Sequence, residues 1–255
     1  MTSRPAGWFL CVAALLASCG SPSGTPESAE KITVAAAANL TDVFAQVGSA
    51  FKAQRGIDVV FSFGATAELA QQIENGAPFD VFAAADTEHV DSLVASQKVK
   101  GDSRAIYARG QLALWIPGGD LNGNQDLKAL GAPKIRFIAV AQPKLAPYGQ
   151  AAVEALQKVH LWESVQHKIV YANSISMAKQ LAGTGNADAA FTAYSLVLHD
   201  RGTVMKVDPS LYQTIEQALA IVTSTSHLQE SEQFRSFLLG PEGRAILGES
   251  GYLLP

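Results

Sequence analysis

From Lys31 onward, short apolar runs alternate with stretches of helical periodicity, and this alternation limits the fold more than any other feature. Ile32–Ala38 has the apolar composition of a buried strand. Apolar residues then recur every three or four positions from Leu40 to Phe51, and Gly56 follows as a helix stop. Repetition of this order along the chain predicts an α/β protein.

The other predicted elements continue the alternation. The further predicted strands are Ile57–Phe63, Val81–Ala84, Gln111–Ile116, Ile135–Ala141, Lys168–Ala172, Ala189–Thr192 and Gln217–Val222. The further predicted helices are one through Leu69 and Ile73, then Gln150–His160, Ser174–Ala182 and Glu230–Leu239. Two βα sets followed by a late strand indicate two lobes, the first of them discontinuous. We predict 31–110 with 217–255 as lobe 1 and 111–216 as lobe 2.

The first thirty residues have the pattern of a targeting segment. Arg4 precedes the apolar run Trp8–Ala17, which is far shorter than the roughly 20 residues that span a bilayer. The run ends in Leu-Ala-Ser-Cys, which resembles the bacterial lipobox, so we predict a lipoprotein signal over 1–19 and lipidation of Cys19. Residues 20–30 are then a flexible polar tether. The alternative is an ordinary cleaved signal with a chance cysteine.

Composition and motifs exclude several classes of function. Cys11 and Cys19 are the two cysteines of the chain, so a disulfide, a thiolate metal site or a cysteine nucleophile is not expected after residue 19. The net charge of −4 argues against a nucleic-acid partner. Neither a nucleophile elbow nor a phosphate-binding loop with its lysine is present, and the five histidines fit solvated positions better than metal ligands. An enzyme is therefore disfavoured.

Polar or helix-starting residues follow four of the predicted strands. They are Asn39, Thr66, the segment Pro147-Tyr148-Gly149, and Ser174 with Ile175. Ligands of open α/β sheets gather at the carboxyl ends of strands, and helix N-termini present free N–H groups that suit anions. Four such ends would bind an oxyanion with neutral donors. The alternative is that Asn39, Thr66 and Ser174 cap their helices.

The sequence resembles the periplasmic molybdate-binding proteins of ABC transporters over essentially all of residues 31–255. The segments that carry the resemblance are Lys31–Asp42 (KITVAAAANLTD), Ser62–Ala70 (SFGATAELA), Gln72–Asp86 (QIENGAPFDVFAAAD), Ile138–Gln157 and Gly185–Leu196 (GNADAAFTAYSL). The Ala-Ala-Asn-Leu opening together with Gly-Ala-Pro-Phe-Asp-Val-Phe is fairly specific.

The resemblance implies where the oxyanion would be bound. The family's ligand positions fall on Asn39, Thr66, Tyr148 and Ile175, with a backbone contribution from Ala38. Ser174 and Tyr194 are further candidates, because a tyrosine of some members falls on Ala193, next to Tyr194. Asp80 and Asp86 would repel a dianion, so structural or capping roles suit them better, and Lys144 suits a solvated loop.

The resemblance also implies a fold and a function. The fold is the two-lobed periplasmic solute-binding protein of type II, with crossovers near 109–112 and 212–217 and the ligand in the cleft. The function is capture of molybdate, and of tungstate, without a cofactor, for the permease and ATPase subunits of an importer. The protein would be a monomer on the periplasmic face, in contact with the membrane through its lipid anchor alone. The alternatives are a receptor for sulfate, thiosulfate or phosphonate, a sensor module, or an enzyme that uses the same cleft.

Overall fold

The computed structural model describes residues 30–119 and 126–255. The predicted signal segment, its Cys19 and the predicted tether up to residue 29 lie outside the described residues. Within the two described ranges, no helix is both long and apolar enough to cross a membrane.

The described residues form two five-stranded sheets. In chain order, the strands are β1 (Lys31–Ala37), β2 (Asp58–Gly64), β3 (Val81–Ala83), β4 (Ala105–Gly110), β5 (Leu112–Ile116), β6 (Ile138–Ala141), β7 (Ile169–Ala172), β8 (Ala189–Ala193), β9 (Thr203–Lys206) and β10 (Ile215–Ile221). The strand order is β2-β1-β3-β10-β4 in the first sheet and β7-β6-β8-β5-β9 in the second.

Helices cover the faces of both sheets. In chain order, they are α1 (Thr41–Arg55), α2 (Thr66–Glu74), α3 (Glu88–Ala95), α4 (Pro147–Lys158), α5 (Trp162–Val165), α6 (Ile175–Gly183), α7 (Tyr194–Val197), α8 (Leu228–Leu239) and α9 (Pro241–Glu249). Short 3-10 turns lie at Ala38–Leu40, Gly101–Ser103, Leu127–Gly131, Gln166–Lys168 and Pro209–Leu211.

Each sheet is the centre of one lobe, and the chain passes between the lobes twice. It leaves lobe 1 between β4 and β5 at Gln111, and it returns between β9 and β10. The returning β10 pairs antiparallel with β3 and β4, so the last part of the chain completes lobe 1. The α/β fold with two lobes, predicted from the alternating pattern, is confirmed. The predicted start of the last strand, Gln217, is wrong by two residues, because β10 begins at Ile215.

The α1 helix shows how the sequence pattern produces packing. Val43, Phe44, Val47 and Phe51 recur at helical spacing, and all four are buried against the first sheet. The ring of Phe234 from α8 meets the rings of Phe44 and Phe51 edge to face, at centroid distances of 6.1 and 5.4 Å. The α8 helix is thus packed against α1.

Two predicted boundaries and one missed helix have identifiable physical reasons. The strand predicted from Ile135 begins at Ile138, because the Asp188 carboxylate accepts the N–H groups of Arg136 and Phe137 in place of a strand partner. The helix predicted from Gln150 begins at Pro147, a residue that suits the first helical turn. The residues after Leu239, for which no helix was predicted, contain α9, whose apolar stripe is weak.

Candidate functional site

Four strand-to-helix junctions meet in one cavity between the lobes. The parallel neighbours β1 and β2 end there in lobe 1, and the parallel neighbours β6 and β7 end there in lobe 2. The cavity is nearly closed, with a volume of about 10 Å³. Its lining residues are Ala37, Ala38, Asn39, Gly64, Ala65, Thr66, Ala85, Ala146, Pro147, Tyr148 and Ile175.

The cavity therefore brings together Ala38, Asn39, Thr66, Tyr148 and Ile175, the five residues of the predicted oxyanion site. Their role in binding an ion stays a prediction. The two further candidates, Ser174 and Tyr194, are not among the lining residues.

Asn39 lies in the 3-10 turn between β1 and α1 and is 1% exposed. Its Nδ2 donates to Gln217 Oε1 and to the Tyr252 hydroxyl, both at 3.0 Å. Its Oδ1 is buried and has no hydrogen-bond partner among the described residues. Because side-chain nitrogen and oxygen can exchange places by rotation of the amide, this side chain can present either a donor or an acceptor to a ligand.

Thr66 is the first residue of α2 and is also 1% exposed. Its Oγ1 accepts the backbone N–H of Ala85 at 3.2 Å. A hydroxyl that accepts one bond still carries its own proton, so Thr66 can donate that proton into the cavity it lines.

Tyr148 is the second residue of α4 and is 1% exposed. Its hydroxyl accepts a bond of 2.9 Å from Gln217 Nε2. Burial raises the pKa of the Tyr148 phenol well above its ordinary value, so the hydroxyl keeps its proton at every physiological pH. It is a neutral donor located at a helix N-terminus.

Ile175 supplies a backbone donor because it is the first residue of α6. The first backbone bond at this helix start runs from Ala178 N–H to Ser174 O, so the Ile175 N–H precedes the helical ladder. Ser174 acts as the N-cap, since its Oγ accepts the N–H of Met177 at 3.2 Å. The capping interpretation of Ser174 therefore describes its contact correctly.

Tyr194 starts α7 and lies away from the cavity. The Nζ of Lys206 lies 4.9 Å from the centroid of its ring, a cation–π contact. A Cβ placed on Gly251 would come within 2.9 Å of the same ring. Tyr194 of lobe 2 thus packs next to Gly251 of lobe 1.

All cavity-lining side chains are neutral, and the charged groups lie further out. An outer cleft next to the cavity contains Asp86, Glu88, Glu154 and Glu216 together with the exposed Lys144. The lysine does not line the cavity. The interior thus differs from its mouth, because it offers hydroxyl, amide and helix-end donors without a counter-charge.

The two aspartates next to the family motif are engaged in structural bonds. The Asp80 carboxylate accepts the backbone N–H of Thr33 at 2.7 Å and lies 3.1 Å from Nδ1 of His227. The Asp86 carboxylate accepts the N–H of His89 at 3.0 Å and lies 2.8 Å from its Nδ1, a bond that raises the pKa of His89. His227 is exposed and His89 is half-buried, and each contacts a carboxylate as well as solvent.

A buried polar network behind the cavity was missed by sequence reasoning. Besides Gln217 and Tyr252, it contains Tyr107, whose hydroxyl lies 2.9 Å from Gln217 Oε1, and Ser195, whose Oγ lies 3.0 Å from the Tyr252 hydroxyl. The Tyr252 hydroxyl in turn donates to the backbone oxygen of Asn39 at 2.7 Å. The one available signal was a glutamine inside the apolar run IEQALAI, a pattern that predicts a bonded buried amide.

The residues that the structure describes contain no group of three or more histidine, cysteine or acidic side chains that could hold a metal cation. The cavity lining includes neither a carboxylate nor an imidazole that could serve as a general base. Neutral donors that converge from two lobes suit the capture of an anion. Fold and site together define a two-lobed receptor with its ligand site in the cleft.

The chain belongs to the bacterial extracellular solute-binding protein family, whose model matches residues 32–253. It is similar to the molybdate-binding protein ModA of Rhodobacter capsulatus, with 34% identity over 89% of this chain and 90% of that protein. It is also similar to ModA of Azotobacter vinelandii, with 35% identity over 88% of this chain and 90% of that protein.

Solved structures agree with this assignment. The periplasmic molybdate-binding protein of Azotobacter vinelandii superposes with a TM-score of 0.85 and 33% identity, over 88% of this chain and 99% of that one. The sulfate-binding protein SubI of Mycobacterium tuberculosis has a TM-score of 0.75 at 20% identity, over 88% of this chain and 86% of that one, which shows a shared fold alone.

Proposed function

We propose that this protein captures molybdate, and tungstate, as the solute-binding component of an ABC importer. The observation that carries the proposal is the cavity lined by Asn39, Thr66, Tyr148 and Ile175, where neutral donors from both lobes meet. Its support from relatives is the similarity to molybdate-binding proteins over about nine-tenths of the chain.

A dianion removed from water has to find donors for each of its oxygens. The Thr66 and Tyr148 hydroxyls can each donate one proton, and Tyr148 and Ile175, whose backbone N–H groups lie at the starts of α4 and α6, line the same cavity. Hydrogen bonds to charged groups contribute roughly 1.5–3 kcal/mol each, so four or more are needed for tight binding. Closure of the lobes would complete this shell by a hinge motion.

Binding without catalysis follows from the same lining. The donors do not include a group that changes protonation near neutral pH, and a neutral phenol with a raised pKa is a poor base. We therefore assign the protein no enzymatic activity and no cofactor. As its partners we propose the permease and ATPase subunits of an importer. A monomer suffices, because one chain supplies both lobes of the site.

Ligand identity can be tested with a thermal-shift panel of oxyanions. At a ligand concentration 100-fold above the dissociation constant, a specific ligand stabilises the native state by about 2.7 kcal/mol. We expect a clear rise in melting temperature with molybdate and tungstate and little change with sulfate, thiosulfate, phosphate or a phosphonate. Selection would come from size, because the lobes close on a fixed volume and Mo–O and W–O bonds are longer than S–O bonds. Equal shifts with sulfate would contradict the assignment.

We further propose that Cys19 anchors the protein to the periplasmic face of a membrane. The support is the lipobox-like sequence before Cys19 and the polar residues 20–30 that follow it. The variant Cys19→Ser should appear in the soluble envelope fraction with unchanged anion affinity, since the anchor lies outside the cavity-forming part of the chain. The control is Cys11→Ser, which should remain membrane-bound, and membrane retention of Cys19→Ser would refute the anchor.

A further inference from the structure

Gln217 occupies an unusual position for an uncharged polar side chain. It lies in the middle of the apolar strand β10 and is 0% exposed. Its Oε1 accepts from Asn39 Nδ2 at 3.0 Å and lies 2.9 Å from the Tyr107 hydroxyl, while its Nε2 donates to the Tyr148 hydroxyl at 2.9 Å. A single amide thus contacts two of the residues that line the cavity.

The direction of the bond to Tyr148 determines where the phenolic proton points. A phenol has one proton, and Gln217 Nε2 is a donor that has to meet an oxygen lone pair. Because the lone pair of the Tyr148 oxygen receives Gln217, its own O–H is left to donate elsewhere, and Tyr148 lines the cavity. A carboxylate or an amide oxygen at the same place would attract the proton away from the cavity.

The orientation of the Gln217 amide is in turn maintained by its other neighbours. If Oε1 and Nε2 exchanged places, Nε2 would face Asn39 Nδ2, which is also a donor. The Asn39 amide would then have to rotate as well, and its unpartnered Oδ1 would turn toward Gln217. The two amides are therefore coupled, and the orientation that leaves the Tyr148 proton free for the cavity is the one in which both Nδ2 protons of Asn39 are used within lobe 1.

The backbone leaves space for this arrangement at Gly110, the last residue of β4. A Cβ at this position would lie 2.1 Å from the Tyr148 hydroxyl oxygen and 2.6 Å from Gln217 Nε2. The hydrogen bond between Tyr148 and Gln217 therefore occupies the space that a side chain at position 110 would need. Gly110 is adjacent to Gln111, where the chain crosses between the lobes, so the bond forms beside the crossover.

We propose that Gln217 is a positioning residue that orients the Tyr148 hydroxyl toward the bound oxyanion. Gln217 belongs to lobe 1 and Tyr148 to lobe 2, so the bond forms when the lobes meet. The proposal rests on the proposed oxyanion-binding function of the cavity, and it adds a determinant of affinity that does not contact the ion.

A double-mutant cycle with molybdate as the probe tests this proposal. Gln217→Met removes the amide at similar volume, and Tyr148→Phe removes the hydroxyl. Isothermal titration should show that each single variant binds about 10- to 100-fold more weakly, the loss expected for one charge-assisted hydrogen bond. Because Gln217 acts through Tyr148, the double variant should lose little more than Tyr148→Phe alone.

Matched variants separate positioning from general damage. Gln72→Met and Tyr171→Phe make the same chemical changes at exposed sites of α2 and β7, and both should bind like the unmodified protein. Gly110→Ala crowds the same bond from the backbone side and should lower affinity without any change to a polar group. Melting temperatures without ligand report on folding, and Gln217→Asn, which keeps a shorter amide, replaces Gln217→Met in the cycle if that variant unfolds.

The outcomes distinguish the two proposals. Absence of molybdate binding by the unmodified protein would overturn the proposed function itself. Normal molybdate binding by that protein, with unchanged affinity in the Gln217 variant, would overturn the positioning role alone. The same conclusion follows if the two losses multiply in the double variant, because independent effects would then show that Gln217 does not act through Tyr148.

Discussion

The two lobes contribute to the cavity in different ways. Lobe 1 contributes the side chains of Asn39 and Thr66, and each is bonded to residues of the same lobe, Asn39 to Gln217 and Tyr252 and Thr66 to the N–H of Ala85. Lobe 2 contributes the starts of α4 and α6, where Pro147 and Ile175 begin the helices and the Tyr148 hydroxyl is bonded across the interface.

This contrast indicates that the two lobes have different roles in an oxyanion receptor. The bonds of the Asn39 and Thr66 side chains stay within lobe 1 whether or not lobe 2 is close, so this half of the site is preformed. The donors of lobe 2 are helix ends, which are rigid in themselves and need only be brought near. Changes in lobe 1 should therefore alter the chemistry of the site, whereas capping changes in lobe 2 should alter helix stability.

The largest effect is expected for Asn39→Asp, a near-isosteric change in the preformed half. A carboxylate would then face a dianion, and two unit charges about 4 Å apart cost about 4 kcal/mol at an effective dielectric near 20. We expect a loss of molybdate affinity of at least about a thousandfold at neutral pH, with partial recovery on acidification as the new carboxyl is protonated. Isothermal titration at several pH values measures both the loss of affinity at neutral pH and its recovery at acidic pH.

The matched control for this charge change is Asn75→Asp, at the exposed end of α2. It should bind molybdate normally, since the added charge lies far from the cavity lining and is screened by solvent. Unchanged affinity in a well-folded Asn39→Asp protein would remove Asn39 from the site, and with it the idea that lobe 1 sets the chemistry.

A smaller loss is expected when Thr66 loses its hydroxyl. Thr66→Val removes one donor to the ion and leaves the Ala85 N–H without its partner, so affinity should fall about 10- to 100-fold and the melting temperature should also fall. Thr66→Ser keeps the hydroxyl and should bind within a few-fold of the unmodified protein. If the Thr66→Ser and Thr66→Val variants lose affinity equally, the Thr66 hydroxyl does not contribute to binding.

The corresponding change in lobe 2 should affect stability instead of binding. Ser174→Ala removes the cap of α6, which contributes about 1 kcal/mol to the free energy of unfolding. The molybdate affinity should stay unchanged, because the Ser174 hydroxyl is bonded to Met177 and does not line the cavity. Urea denaturation and titration of the same sample measure the two quantities, and a large affinity loss would place Ser174 in the site.

The smallest effect concerns pH. His89 in the outer cleft has a pKa raised above 6.5 by its bond to Asp86, so its stabilising contribution is complete below pH 6.5 and is lost as pH rises through the folded-state pKa. The stability of His89→Gln should therefore depend less on pH in that window. Molybdate affinity should be nearly flat between about pH 6 and 8 in both proteins, since the lining donors do not titrate there. A steep fall in molybdate affinity as the pH rises would indicate instead that a cationic side chain contacts the bound ion.

The sequence predicted local features of the site well and distant ones poorly. Asn39 and Thr66 directly follow apolar strands, so their place at a strand end could be inferred from neighbouring residues alone. Gln217 and Tyr252 could not be assigned, because their bonds to Asn39 span 178 and 213 positions. No local pattern records which distant groups a fold brings together.

The same distinction explains the errors in the fold. The alternation of β1, α1 and β2 was visible because each element repeats its own period. The start of β6 was misplaced because the backbone at Arg136 and Phe137 is bonded by Asp188, a residue about 50 positions away. The α9 helix was missed because two glycines interrupt its apolar spacing.

The bond between Asn39 and Tyr252 also sets an order of events during biosynthesis. The first loop of the cavity is made early on the ribosome, yet its amide and its backbone oxygen are both bonded to a tyrosine 213 positions later. Lobe 1 cannot be completed from a nascent chain, because β10 and the residues after it are made last. The cavity therefore stays incomplete while the chain is being translated, and its bonding network can form only once residue 252 has been made.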